Sequence, residues 1–231
     1  MKTLRIGVAV SLMFVLLTTG CSRKGSVGKK PGKKVDVEWV HPIRQQVYSH
    51  LTSKGEGAYD SYIQDTVNGM ICKLIFPASS WELARKEGYM FLDIIARSGD
   101  QVFDVLYRMM LELKCREIEI SSLWRPLTPG NPNSPHHEGR AIDITRMKSK
   151  YGETKFTVLA SGSETAYVKL IRTWCFPNNP DIVQYFSPWM MCNEKASCSQ
   201  SCCVNDKVSS NHKIHQNHMH ITLSKVPEIK R

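Results

Sequence analysis

Side chains that bind transition metals fall in two short segments that lie far apart in the chain. The segment SPHHEGRAID contains His136 and Asp143, and the segment HQNHMH near the C-terminus contains His215, His218 and His220. Together they offer a His, an Asp and a His for one metal ion, with further imidazoles beside it. Three protein ligands and an open fourth position are typical of a catalytic zinc site, whereas structural zinc sites are closed by four ligands.

The spacing of these residues agrees with a common site on a sheet. His218 and His220 lie in His-Met-His-Ile-Thr-Leu, where strand alternation would point both side chains to the same face. Asp143 lies in the apolar run Ala-Ile-Asp-Ile, a second predicted strand. His136 precedes Gly139, so we expect it on the loop that enters this strand, folded back toward Asp143.

The two segments resemble the motifs of the LAS-type zinc peptidases. The first is similar to Ser-x-His-x-x-Gly-x-Ala-x-Asp, and His218-Met-His220 is similar to the His-x-His that follows it in this group. The group includes D-Ala-D-Ala carboxypeptidases and dipeptidases and the penicillin-insensitive murein endopeptidases. Upstream, Ser121-Ser-Leu-Trp-Arg125-Pro resembles the arginine-bearing segment of the carboxypeptidase branch. The resemblance covers about residues 117–223.

The resemblance implies roles for five side chains. His136, Asp143 and His220 would bind zinc, and His218 would lie beside the metal as a catalytic or orienting imidazole. The carboxypeptidase branch has a Glu as general base three residues before His-x-His, but this chain has His215 there, as in the murein endopeptidase branch. His215 and His218 are therefore alternative candidates for the group that accepts the proton of water or orients the nucleophile.

Four other residues near the motifs are candidates for weaker roles. Arg125 could pair with a substrate carboxylate or stabilise the developing oxyanion, and a structural salt bridge is the alternative. Ser134 is a candidate for a group behind the metal ligands, and Trp124 is a candidate for a cleft wall. Glu138 is the nearest carboxylate, but it occupies a variable position of the motif and is a weak candidate for the base.

Residues 1–20 are typical of a bacterial export signal. Lys2 and Arg5 precede an apolar stretch at 6–17, which is too short for a membrane-spanning helix. The sequence Leu-Thr-Thr-Gly-Cys that follows resembles a lipoprotein cleavage box, which implies that Cys21 becomes a lipidated N-terminus. We therefore expect an exported, membrane-anchored bacterial lipoprotein in the periplasm or at the cell surface. A plain secretory signal with an unmodified Cys21 is the alternative.

The net charge of +10 is concentrated near the N-terminus. Residues 22–36 contain six lysines and arginines and one acid, in a Gly-, Lys- and Ser-rich stretch without apolar periodicity. We predict a lipidated Cys and a basic flexible tether over 21–36, followed by a single domain over 37–231. The tether would favour anionic lipid by about 1 kcal/mol per basic residue near the membrane, or act only as a solvated spacer. Nucleic acid is not an expected partner.

Eight cysteines in an exported chain predict disulfide bonds. With Cys21 lipidated an odd number remains, so at least one thiol is unpaired or pairs between chains. Four of the cysteines form a cluster near residues 192–203, namely Cys192, Cys198, Cys202 and Cys203. Because this cluster lacks the Cys-x-x-Cys pairs of zinc knuckles, it favours a disulfide-rich loop over a second metal site.

The period of the apolar residues changes near residue 115. Before it, two helices are predicted from apolar faces of period 3.6, formed by Trp81, Ala84, Gly88, Phe91, Leu92 and Ile95 and by Val102, Leu106, Met109, Met110 and Leu113. After it, strands are predicted at 116–122, 139–146, 155–160 and 218–224, with a helix that begins at Ser163. The predicted fold is α+β, with N-terminal helices packed on a small antiparallel sheet that carries the zinc site.

These features predict a zinc-dependent peptidase that hydrolyses amide bonds in peptidoglycan stem peptides or cross-links. Either a murein endopeptidase or a D,D-carboxypeptidase would fit. The expected cofactor is Zn²⁺, and the expected partners are peptidoglycan and, through the lipid anchor and the tether, a membrane. The alternative is a non-catalytic, zinc-containing lipoprotein that binds the cell wall. A secreted disulfide-rich ligand would fit the cysteines but would leave the metal-binding residues without a purpose.

Overall fold

The computed structural model of the chain describes the greater part of the predicted domain. The described residues are 44–47, 61–67, 70–77, 81–127, 132–156, 164–176, 178–193, 196–200 and 214–225. The predicted export signal, Cys21 and the tether lie outside them, as do Cys202 and Cys203. Within these ranges, no helix is both long enough and apolar enough to cross a membrane.

Strands and helices alternate in blocks along the described chain. The strands are β1 (Ser61–Val67), β2 (Met70–Phe76), β3 (Cys115–Ser122), β4 (Ala141–Ser149), β5 (Gly152–Lys155), β6 (Ile182–Phe186), β7 (Met190–Asn193), β8 (Ala196–Gln200) and β9 (Met219–Leu223). Helix α1 covers residues 44–47, and the others are α2 (Glu82–Lys86), α3 (Phe91–Arg97), α4 (Asp100–Glu112) and α5 (Ala166–Cys175). The fold is therefore mixed, with both α and β structure.

The strands form one mostly antiparallel sheet, which is larger than the sequence predicted. Nine strands join in the order β1-β2-β3-β4-β9-β6-β7-β8, with β5 paired to β4. Strands β2 and β3 are parallel, and helices α2 to α4 lie between them in the chain. A parallel connection needs such a crossover, because a tight turn can join only antiparallel strands.

The helices are not clearly N-terminal as predicted, because the hairpin β1–β2 precedes α2, α3 and α4. Val67 pairs with Met70, so only residues 68 and 69 join the two strands. Those residues are Asn and Gly, the sequence most typical of a two-residue hairpin turn. The local signal for this hairpin therefore lies before the predicted helices, in a region for which no strand was predicted.

The predicted helix from Trp81 to Ile95 is two helices, because the chain reverses at Gly88. This glycine has φ +85, which is strained for residues with a Cβ. The Gly88 N–H donates to the Arg85 carbonyl (3.0 Å), and the Tyr89 N–H donates to the Ala84 carbonyl (3.0 Å). These two bonds form a Schellman motif, which ends α2 and lets α3 begin in a new direction.

Helix α4 packs on the sheet with the apolar face that the sequence predicted. The five residues assigned to that face, Val102, Leu106, Met109, Met110 and Leu113, are all buried. They belong to the same core cluster as Ile118 of β3, Ile142 of β4 and Ile221 of β9. Burial of such a side chain stabilises a fold by about 1.5–3 kcal/mol, so this face fixes α4 on the strands that carry the motif residues.

The later elements differ from the prediction in their boundaries. Strand β5 ends at Lys155, where a strand was predicted to begin, and residues 157–160 lie outside the described ranges. Helix α5 has Thr165 rather than Ser163 at its N-cap, and the Thr165 Oγ1 accepts from the Val168 N–H (3.2 Å). Its Tyr167 and Ile171 are buried, whereas Leu170 is exposed.

The cysteines whose side chains the structure describes are of two kinds. Cys192 forms a disulfide bond, whereas Cys72, Cys115 and Cys175 are buried thiols outside any disulfide. Burial raises the pKa of the Cys115 thiol to about 12, so it stays protonated and unreactive at neutral pH. The prediction that at least one thiol is not in an intramolecular disulfide is therefore confirmed, and the disulfide-rich loop near residues 192–203 stays a prediction.

The turn between α3 and α4 packs against the loop that carries His136. The Gly99 N–H donates to the Gly139 carbonyl (2.7 Å), and Gly139 has φ +71. A Cβ on Gly139 would lie 2.3 Å from the carbonyl oxygen of Arg97, which is much closer than any real contact. Only glycine therefore fits at this position of the motif.

We predict that Gly139→Ala destabilises the fold much more than Gly88→Ala. Both residues have a positive φ, which costs an alanine about 1–2 kcal/mol, but a Cβ on Gly88 would have nothing within 4 Å. The clash at Gly139 adds about 1–3 kcal/mol, typical of overpacking. The free energies of unfolding of both variants, measured in urea, test this; equal losses would show that the contact with Arg97 is unimportant.

Candidate metal centre

A row of cross-strand neighbours positions the centre. Asp143 of β4 pairs with His220 of β9, Ser122 of β3 pairs with Asp143, and Phe186 of β6 pairs with His220. Directly opposed residues in an antiparallel pair have Cβ atoms about 4.5–5.5 Å apart, so their side chains can touch. The Asp143 Oδ1 and the His220 Nδ1 accordingly lie 2.7 Å apart.

The third residue, His136, reaches this pair from the loop before β4. Turn hydrogen bonds fold the loop: the Gly139 N–H donates to the His136 carbonyl (3.0 Å), and the Glu138 N–H donates to the Ser134 carbonyl (3.2 Å). The structure thereby brings His136 back to β4. Its Nε2 lies 3.2 Å from the Asp143 Oδ1 and 3.3 Å from the His220 Nδ1.

Three lone pairs converge at this point. The His136 Nδ1 lies 2.6 Å from the Leu123 carbonyl oxygen, which can only accept, so the proton is on Nδ1 and Nε2 carries a lone pair. The His220 Nε2 lies 2.8 Å from the Thr222 Oγ1, and a proton donated there leaves a lone pair on Nδ1. The carboxylate of Asp143 has only acceptor atoms. Three adjacent acceptors repel one another unless a cation lies between them.

The separations of the three atoms fit a metal ion. Zinc binds His nitrogen and carboxylate oxygen at about 2.0–2.2 Å, which puts two ligands of a tetrahedron about 3.3 Å apart. Two of the observed separations are 3.2 and 3.3 Å, and the third, 2.7 Å, would have to open by roughly half an ångström. His136, Asp143 and His220 could therefore hold a metal ion.

Burial and charge set the protonation states that metal binding requires. His136, Asp143 and His220 are 1, 4 and 6% exposed. Burial alone would raise the pKa of the Asp143 carboxyl, but a proton carried by the facing nitrogens of His136 and His220 when no metal ion is bound holds that pKa well below its usual value. Burial lowers the pKa of His220, against the opposing effect of Asp143. An ionised carboxylate and a neutral imidazole are the forms that bind metals.

His218 lies beside the three ligand candidates. Its Nε2 is 3.5 Å from the Asp143 Oδ1, and its Nδ1 lies 2.7 Å from the Asn217 Oδ1, an acceptor that places the proton on Nδ1. Burial lowers the pKa of His218 to about 4, with further lowering by His215, His220 and Arg125 and an opposing effect of Asp143. At neutral pH the Nε2 lone pair of His218 therefore faces the centre.

His215 completes the cluster. It is buried, and its ring centroid lies 5.0 Å from that of His218, 5.1 Å from that of His220 and 5.0 Å from that of Phe186. His215, His218 and His220 form a second group whose ligand atoms all lie within 4.8 Å of one another. The centre therefore contains two overlapping groups of metal-binding side chains that share His220.

The other predicted residues lie at different distances from the centre. The Arg125 Nη2 is 3.9 Å from the Asp143 Oδ2, with a side chain 44% exposed, so the guanidinium can contact both Asp143 and a bound molecule. Ser134 is buried in the His136 loop, where its carbonyl closes a turn. Glu138 pairs with Lys225 (2.7 Å) and Arg140, and these bonds lower its pKa. A carboxylate held by two cations is a poor general base.

The structure adds supporting residues that the motifs did not indicate. Thr222 fixes one nitrogen of His220, and the ring of Phe186 stacks on that of His220 at 5.9 Å. Ser98 accepts a hydrogen bond from the Trp124 N–H (3.2 Å) and so ties the α3–α4 turn to the segment after β3. Only Thr222 had a sequence signal, because it lies two residues after His220 and therefore on the same face of the strand.

A small cavity adjoins the centre. Its volume is about 160 Å³, and it is lined by Trp81, Ala84, Ser121, Ser122, Trp124, Arg125 and Asp143. Its walls combine hydrogen-bond donors with aromatic surface. The Trp81 Nε1–H is buried without a hydrogen-bond partner among the described residues. The cavity thus suits a small group that carries oxygen acceptors.

Comparison with protein-family models, with curated proteins and with solved structures finds no match to this chain. The clustering of the motif residues around Asp143 therefore carries the functional interpretation.

We predict that Thr222→Val lowers zinc affinity by about 10–100-fold, the usual effect of removing a hydrogen bond behind a metal ligand. Valine keeps the shape of threonine but removes the oxygen that holds the His220 Nε2. Thr154→Val is the matched control, because Thr154 is also buried but lies on β5, outside the centre. Competition titration with a chromophoric chelator measures both affinities; an unchanged affinity in Thr222→Val would show that this bond does not orient the ligand.

Proposed function

We propose that the chain is a zinc-dependent peptidase that hydrolyses amide bonds in the stem peptides or cross-links of peptidoglycan. The observation that supports this most is the position of His218. Its Nε2 lone pair faces a group of three acceptors that could hold a metal ion, at a place adjoining a cavity. A site that only held the fold together would not need this imidazole. Export and lipidation at Cys21 belong to the same proposal and would bring the domain to the cell wall.

Zinc is the proposed ion because the donors are imidazole and carboxylate and because three protein ligands leave a position open. The His136 Nε2, the Asp143 Oδ1 and the His220 Nδ1 would hold it. When bound, zinc supplies a Lewis acid that polarises a carbonyl and lowers the pKa of water toward about 7. The Leu123 carbonyl and Thr222 orient the two imidazoles, which keeps their lone pairs directed at the ion.

His218 is the proposed proton acceptor. It is neutral at neutral pH, and its Nδ1–H is held by Asn217, so Nε2 is free to take a proton from attacking water. The carboxylate of Asp143, 3.5 Å from Nε2, would then stabilise the imidazolium. His215 packs beside the His218 ring and is the alternative acceptor.

The cavity next to Asp143 supplies the proposed substrate contacts. Arg125, Ser121 and Ser122 offer donors to a carbonyl or carboxylate oxygen, while Trp81, Ala84 and Trp124 offer apolar contact. A volume of about 160 Å³ suits a small residue rather than an aromatic one. Alanine, which is abundant in stem peptides, is such a residue.

We predict that His218→Ala retains zinc but loses activity on purified peptidoglycan by about 10²–10⁴-fold, the usual contribution of a general acid–base group. His215→Ala should retain zinc with a smaller loss. Asp143→Ala and His220→Ala should lose both metal and activity, whereas Glu138→Ala should keep both, because Glu138 pairs with surface cations. Muropeptide products are measured by mass spectrometry, and metal content by elemental analysis.

Two results would contradict the proposal. Full activity in both His215→Ala and His218→Ala would remove the proposed role of these imidazoles in activating water. Wild-type protein with stoichiometric zinc and no turnover of peptidoglycan would instead favour the non-catalytic, zinc-containing wall-binding protein.

A further inference from the structure

The centre contains more imidazoles than one ion needs. With His136, Asp143 and His220 bound, a tetrahedral ion has one position left for a reacting molecule. His215 and His218 are then two further nitrogen ligands within the same buried cluster. The proposed peptidase needs a single proton acceptor, so it accounts for only one of them.

The geometry of the two rings suits a shared ion. His215 and His218 lie three residues apart in the turn before β9, with ring centroids 5.0 Å apart and planes inclined by 58°. Inclined rings can direct a nitrogen from each toward a common point, whereas stacked rings cannot. Their donor atoms and one of His220 lie within 4.8 Å of one another. The His218 ring is 17% exposed, which leaves it room to rotate and close this distance.

The charge of Asp143 makes two neighbouring cations tolerable. Its Oδ1 lies 2.7 Å from His220, 3.2 Å from His136 and 3.5 Å from His218, so one carboxylate oxygen borders both groups. Hydrolases with two metal ions hold them about 3.5–4 Å apart. Two dications at that distance repel strongly, and Arg125 adds a further positive charge. The second ion must therefore bind more weakly than the first.

We propose that His215 and His218 form a second, weaker site for a divalent transition-metal ion, bordering the first at His220 and Asp143. An ion there occupies the nitrogens that the proposed peptidase uses to accept a proton, so excess zinc inhibits hydrolysis. The binding itself does not depend on the proposed function, whereas the inhibition rests on it.

Equilibrium dialysis of the full chain against increasing zinc tests the binding. The wild-type protein should take up a tight ion and then a second, weaker ion, and His215→Ala should keep the tight ion and lose the weaker one. Retention of the tight ion also shows that the variant is folded. The matched control is His137→Asn, which removes an imidazole outside the cluster but keeps a nitrogen near the Arg125 carbonyl, 3.3 Å from the His137 Nδ1. It should bind both ions.

The site is overturned if the wild-type protein binds a single ion up to millimolar zinc, or if His215→Ala keeps the weaker ion. Hydrolysis measured over the same zinc series tests the inhibition, which should follow occupancy of the weaker site. A second ion that binds without loss of activity overturns the inhibition while the peptidase proposal stands. Absence of hydrolysis at every zinc concentration overturns the peptidase proposal and, with it, the proposed inhibition by excess zinc. The dialysis result still decides whether the second, weaker metal site exists.

Discussion

The pairing of Asp143 with His220 across β4 and β9 is the constraint on which the rest of the centre depends. It buries a carboxylate against the lone pairs of His220 and His136, in a place with little access to water. An ionised group buried without a partner costs several kcal/mol, even after the protein relaxes. The arrangement is therefore favourable only when a proton or a metal ion lies among the three acceptors.

The surrounding structure holds these acceptors in place from several sides. The Leu123 carbonyl and Thr222 fix the two imidazoles, and the ring of Phe186 lies along His220. The close contact of Gly139 with the α3–α4 turn sets the path of the His136 loop. Helix α4 in turn packs on the strands through an apolar face. Core packing and metal-site geometry are thus linked through a few backbone contacts.

The residues of the centre could be identified from sequence because their positions follow local rules. Alternation along the predicted strand puts His218 and His220 on one side, although β9 itself begins at Met219, and the apolar run of β4 marks Asp143 as part of a strand. The apolar face of α4 follows a period that only a helix satisfies. The Asn-Gly turn of the β1–β2 hairpin is a further local signal, in a region for which no strand was predicted.

Other features depend on contacts between distant segments, which no local pattern contains. Gly88 fits an apolar helical face, yet its backbone reverses the chain there. The contact of Ser98 with Trp124 joins residues far apart in sequence, and so does the contact of Gly99 with Gly139. The size of the sheet and the parallel pairing of β2 with β3 are likewise set by the tertiary fold. The sequence also leaves His215 and His218 as equal candidates for the base, whereas the structure places the Nε2 of His218 near Asp143.

X-ray absorption spectroscopy at the zinc edge, on the chain loaded with one equivalent of zinc, tests the metal centre most directly. We expect nitrogen and oxygen ligands at about 2.0–2.2 Å, with the outer-shell scattering of imidazole rings, and loss of this spectrum in Asp143→Ala. Sulfur scattering at about 2.3 Å would place the ion on the cysteines instead. That result, or a spectrum unchanged in Asp143→Ala, would contradict the assignment of the metal to His136, Asp143 and His220.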